Sequence, residues 1–409
     1  MEAVGEYCYN TREPLFIPVS SDIGRLAVPF DGYKVGTPAL GFGANELVMH
    51  IHHALSTLRT KVVTAKEVTE LVAALGTASA ELQSFCVPPL SRLALVWDST
   101  ASRSLLLADS GGRAEAYEEY ANYDSYFGFR RVSDLDQFQF MAQIVRTAHR
   151  ILTELPMSTV GIDEVSAILD AIVAMLVWFV PATGHRTSDI KEPLSADQLS
   201  CQPDSSTRSD VEYADYRWIL GHHLFNLYTI FCRNALQVGV AAIDRGDPER
   251  ASTAINDAAV FLRGTTAAMW FAGNFPATMY LRHTRPSMAK CSGKASGFSG
   301  THNLDYLRLR QAADSLTTAI LRQAAPAAWP MMLRQAILRW FETEAEDVEH
   351  HVLIAASKVG IIPSLLQESV ATYLPSGMMI PPAVEMLREL LTTRRKVAKA
   401  CLAHVGVLQ

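Results

Sequence analysis

WPMMLRQAILRWFETEAEDVEHHVLIAASKVG, residues 329–360, is the stretch whose reading decides the fold. Leu333, Ile337, Phe341, Val348, His351, Val352 and Ala355 recur at three- and four-residue steps, which predicts one long amphipathic helix. Pro330 suits the first turn, and Gly360 with Pro363 behind it supplies the stop. Acidic residues from Glu342 to Glu349 fill the middle and read as a solvated face. They give way to His350-His351 and then to an apolar run. Neighbours on a helix point about 100° apart, so one histidine shares the apolar stripe and the other does not. His351 is the one in line with Val348 and Val352, leaving His350 a solvent-side or supporting neighbour. A lone imidazole there is either a core histidine bonded to a carbonyl or the axial ligand of a haem iron.

Working outward, the same periodicity predicts helices over 44–61, 64–85, 135–155, 165–180, 215–240, 248–271, 303–323 and 382–404. Residues 1–44 are irregular and proline-rich, residues 87–133 are mixed with a possible hairpin, and 181–210 is a polar stretch without apolar period. The expected organisation is an N-terminal part at 1–180, a polar loop or lid at 181–210, and a helical part at 211–409 continuous with the first. The fold class is mainly α.

With 49% hydrophobic and 19% charged residues among 409, the chain can bury a large core. A net charge of −6 and a pI near 6.1 argue against nucleic acid or an anionic membrane as partner. Six scattered cysteines show no C-x-x-C spacing, which excludes a zinc ribbon and suits a reducing cytoplasm. No signal pattern opens the sequence, and the apolar run 165–180 is too short to span a bilayer. A cytoplasmic protein is expected.

Three stretches could carry chemistry. His50 and His53 share a helix face, one turn after Glu46, as a metal site would require. Asp347-x-x-His350 resembles half of a di-iron carboxylate helix, although a second such motif is missing. Residues 275–301 carry Phe275, Tyr280, Arg282 and Arg285, then a run of small residues whose backbone can approach an anionic ligand closely.

Aromatic and arginine residues, a Gly/Ser loop and a helix with one histidine come in an order that resembles the histidine-ligated haem superfamily of tryptophan and indoleamine 2,3-dioxygenases. The run from His351 to Gly360 resembles its proximal-histidine helix, and Ser296-Gly-Phe-Ser-Gly300 its small-residue distal loop. Pro276, Tyr280 and Arg285-Pro286 resemble the helix end that gives the aromatic wall and the carboxylate-binding arginine. One extra residue precedes Arg285, which leaves Arg282 a rival for that role. Residues 45–61 resemble the tryptophan dioxygenase helix bearing a distal histidine, here His53. Pro375-Ser-Gly-Met378 stands at the substrate-closing loop but lacks most of its glycines and threonine. The likeness covers roughly 255–390. Ala355 occupies the place of a cysteine in the tyrosine-hydroxylating branch with thioether-linked haem, which makes that branch a poorer match.

The resemblance implies a large helical domain of the indoleamine/tryptophan dioxygenase type. Haem b would have its iron on His351 and Ser296, Gly297, Phe298 and Gly300 against the cofactor. His53, Ser299 and Thr301 would stand on the reacting side; Arg285 or Arg282, Tyr280 and Phe275 would hold substrate. It implies an oxygenase of specialised metabolism acting with O2 or peroxide on an aromatic, indole-type amino acid such as L-tryptophan or a derivative. The rivals are a non-catalytic haem or small-molecule binder, and an all-α di-iron oxidase using Asp347, His350, His50 and His53.

Overall fold

The computed structural model describes residues 15–18, 114–132, 137–178, 209–291, 300–324, 326–365, 367–368 and 381–407. The expected helices at 44–61 and 64–85, the possible hairpin near 91–110, residues 181–208 and the closing loop at 375–378 lie outside the described residues.

The described chain is mainly helical: α1 Ala114–Phe127, α2 Gln137–Glu154, α3 Ile162–Val177, α4 Asp210–Arg245, α5 Pro248–Ala272, α6 Arg285–Cys291, α7 Leu304–Leu321, α8 Met331–Lys358 and α9 Ala383–His404. A short parallel pair, β1 Leu15–Pro18 and β2 Phe129–Val132, joins the N-terminal segment to the end of α1. Neither α1 nor this pair is legible in the mixed stretch 87–133.

α4 is the axis of the packing. Ser209 and Glu212 close a reciprocal capping box at its start, and Gly246, at φ 72°, ends it in the left-handed conformation. A two-residue turn then returns the chain as α5, antiparallel to α4. The helices meet closely because Gly221 lacks a side chain: a Cβ there would lie 2.4 Å from the Cβ of Ala272. Gly264 does the same service where α5 passes Ala171 and Tyr228. One continuous core runs from Leu15 to Val405, with Phe231, Phe261, Phe271, Trp340 and Phe341 buried in it.

α8 lies along α5. Ser252 donates to the carbonyl of Met332 at one end, and Thr266 donates to Asp347 further along. α9 runs back antiparallel, with Arg394 on Glu344 and Arg395 on Glu349. Gly360 sits at φ 57° just beyond α8, the expected stop. The acidic run corrects the expectation of a solvated face. Glu342 and Glu346 are exposed, whereas Glu344 and Asp347 are buried. Two arginines, Arg310 at 2.6 Å and Arg394, neutralise Glu344. Among the described residues no helix is long and apolar enough to cross a membrane.

Candidate haem and substrate site

α8 changes character at His350. Upstream it is packed; downstream, from His350 to Lys358, every residue is half-buried or exposed. His351 stands at this change with 28% of its side chain exposed. Its Nδ1 donates to the carbonyl of Asp347, one turn back, at 2.9 Å. With the proton on Nδ1, the outer nitrogen, Nε2, is the one whose lone pair a metal would take. The Asp347 carboxylate lies 3.7 Å from the same Nδ1 and is itself held by Thr266 Oγ1 at 2.7 Å. A supported imidazole with its outer nitrogen free fits the axial ligand of a haem.

His350 departs from expectation. Its Nδ1 is buried without a partner among the described residues, and its ring meets Trp270 edge-on at 6.1 Å. It faces the α5 side rather than solvent. Asp347 contacts His351 and Thr266, while His350 meets Trp270, so the two do not stand together toward a shared site as a di-iron helix would need. Among the described residues no group of three or more His, Cys, Asp or Glu could hold a metal ion.

The substrate-side residues sit on an irregular segment between α5 and α6. The extra residue before Arg285 is absorbed by a π-helical turn, Tyr280–Thr284, set between the short turn Ala277–Met279 and α6. Such a turn inserts one residue without breaking the helix and rotates the residues beyond it. Here it leaves Arg282 exposed and turns Arg285 inward, to 11% side-chain exposure. Arg285 donates to the carbonyl of Pro363 at 3.0 Å, pairs with Glu368 at 2.7 Å and lies near the Tyr280 hydroxyl. Burial raises the Tyr280 pKa, and the nearby Arg285 charge opposes the rise only in part.

α4 completes the wall with residues that sequence reading missed. Trp218 lies edge-on to Tyr280 at 5.7 Å and to Phe275 at 6.3 Å. One turn on, His222 stacks on Phe127 at 4.0 Å and bonds the carbonyl of Trp218 through Nδ1 at 2.7 Å. Burial pulls its pKa down to about 3, and nearby His223 and His351 push in the same direction. Their only sequence signal is His222-His223 inside an apolar run, and a buried helix shows no periodicity that singles out a face.

Trp218 thus joins Phe275 and Tyr280, Arg285 adjoins Tyr280, and His222, one turn on from Trp218, lies within electrostatic reach of His351. Gly300 begins a 3₁₀ turn at Gly300–His302 that includes Thr301 and leads into α7. His53, Ser296, Gly297, Phe298 and Ser299 lie outside the described residues.

A family model described as SfmD 3-methyl-L-tyrosine peroxygenase matches residues 48–333. That is well over half of the chain, ending at the first turn of α8, so the match does not reach His351. No curated protein matches the chain. Among solved structures it is similar to a crystal structure of reduced SfmD, prepared by soaking with sodium hydrosulfite. Identity there is 15%, over 81% of this chain and 96% of that one, with a TM-score of 0.43. The family match weighs against the preference for indole-acting branches drawn from Ala355, which remains a local departure.

Proposed function

The chain belongs to the SfmD 3-methyl-L-tyrosine peroxygenase family and is a haem-dependent oxygenase of aromatic amino acids; on that premise we propose that His351 holds the haem iron while Phe275, Tyr280, Trp218 and Arg285 receive the substrate. Bound there, the haem supplies activation of peroxide or O2 for oxygen insertion into an electron-rich ring. The observation that carries this reading is His351 itself, an imidazole oriented by Asp347 with Nε2 unengaged among the described residues.

The chain's own residues divide the remaining work. Asp347 and Thr266 keep the imidazole in one tautomer and make it a better donor. His222 is neutral at pH 7 and keeps the wall near His351 uncharged. Tyr280, half-buried and protonated, presents an aromatic face and a hydroxyl beside Arg285. Arg285 offers the fixed cation that a substrate carboxylate needs on leaving water. The incoming carboxylate would share or replace its contact with Glu368. Family membership favours a phenolic amino acid of the 3-methyl-L-tyrosine kind, with L-tryptophan or a derivative as the second candidate. In this proposal His53 acts on the reacting side, in a protein of specialised metabolism.

The test is a Soret titration of the haem-loaded protein with 3-methyl-L-tyrosine, L-tyrosine and L-tryptophan, and with tyramine and indole, which lack the carboxylate. Arg285→Leu should weaken amino-acid binding by about 2–5 kcal/mol, the scale for removing one partner of a buried charged pair, and leave tyramine and indole unchanged. Arg282→Leu should titrate like the wild type. If both variants bind amino acids normally, the carboxylate clamp lies elsewhere.

A further inference from the structure

Beside Phe275, a cleft of about 460 Å³ opens between the end of α5 and the last turns of α8. Arg217, Trp270, Phe275, Ile354 and Lys358 line it, and among the described residues no carboxylate does. Arg217 is 2% exposed. Its Nη1 donates to the Asn274 carbonyl at 2.7 Å and to Asn274 Oδ1 at 2.9 Å, and its Nη2 to the Met157 carbonyl at 3.1 Å and to the Tyr213 hydroxyl. Its Nε is buried with no acceptor among the described residues, and so is Nε1 of Trp270. Lys358 donates to the next carbonyl, Phe275, and lies over that residue's ring at 5.1 Å. Two cations thus reach consecutive carbonyls, and unused buried donors stand beside them. Buried donors without acceptors are costly, and their gathering around one cleft marks a place where an acceptor belongs.

The spacing along α8 says which acceptor. His351, Ile354 and Lys358 fall on one stripe at i, i+3 and i+7, so Lys358 lies two turns, or about 10.5 Å, along the axis from His351. A porphyrin lies normal to its iron–nitrogen bond, and a helical side chain projects away from its axis. A haem on His351 therefore extends along α8, and two turns is about the reach from its iron to its carboxylates. We propose that this cleft receives the haem propionates, with Lys358 and the Arg217–Trp270 donors as their partners. The inference rests on the assignment of His351 above and adds the direction in which the cofactor lies: carboxylate edge toward the C-terminal end of α8.

The test uses natural haem and its dimethyl ester, which has no propionate charge, and measures loss of each to an excess of apomyoglobin. Lys358→Met should lose natural haem on the order of tenfold faster, the worth of one charge-assisted contact. It should lose the dimethyl ester at the wild-type rate, and Lys358→Arg should restore retention of natural haem. Denaturant unfolding of the haem-free variants checks that the fold is intact. Equal acceleration for both porphyrins, or none for either, would overturn the proposal and leave Lys358 and Arg217 as caps on the end of α5. A wild type that takes up neither porphyrin would instead overturn the function on which the proposal rests.

Discussion

The two halves of α8 share one helix and live in different surroundings. From Leu333 to Val348 the helix is wedged between α5 and α9, with Trp340 fully buried and Glu344 and Asp347 held by partners from other helices. From His350 to Lys358 no residue is fully buried, and Leu353 is 54% exposed. The first half has the contacts that fix a helix in space; the second carries the groups proposed to bind haem. A ligand-bearing turn extended from a well-anchored one is positioned without being filled, because the rigidity is supplied upstream.

The comparison breaks most visibly at His351. His351→Ala should abolish the Soret band of the loaded protein while changing unfolding of the haem-free chain by less than about 1 kcal/mol, as expected for a half-exposed side chain. His350→Ala should keep the band. If His350→Ala lost it and His351→Ala did not, the assignment of the two faces would be reversed.

Trp340→Ala tests the other half. Emptying a fully buried indole site should cost about 3–5 kcal/mol of unfolding free energy, read by denaturant titration of the haem-free protein. A loss no larger than that of His351→Ala would show that the two halves are not differently anchored.

The smallest effect sharpens the comparison from His222 on α4, which lies within electrostatic reach of His351. His222 has a folded pKa near 3 against an ordinary 6.5, so between these values the unfolded chain takes up a proton that the folded chain refuses. Stability therefore falls as the pH drops below about 6.5, by about 1.4 kcal/mol per pH unit, and does not depend on this group's titration above it. Asp257, pushed up to about 6 by burial, works in the opposite sense in the range between 3.8 and 6. The measurement is thus the difference in unfolding free energy between wild type and His222→Gln at pH 7, 6 and 5. A difference independent of pH would mean that His222 titrates normally and that the wall is wet.

How much of this can be read in the chain differs by element. α8, with its proline start and glycine stop, is written in apolar steps of three and four, and so are α2, α5, α7 and α9. His351 is singled out by its phase against Val348 and Val352 alone. Arg285 cannot be separated from Arg282 in the sequence, because the choice depends on a π turn that a 3.6-residue period does not describe. The acidic run misleads for a related reason: Glu344 and Asp347 look solvated until Arg310, Arg394 and Thr266 arrive from other helices.

By itself, then, the sequence determined α2, α3, α4, α5, α7, α8 and α9 to within a few residues of their ends, though not α1 or α6, since periodicity and capping act within a few residues of one another, and it put His351 in phase with Val348 and Val352. Only the tertiary structure decided what stands around that histidine. Trp218 and His222 lie more than a hundred residues before it, and Arg217 and Lys358 meet through adjoining carbonyls at the end of α5. Such meetings come from close packing between distant segments, of α4 on α5 at Gly221 and of α8 along α5. No local pattern of residues encodes them.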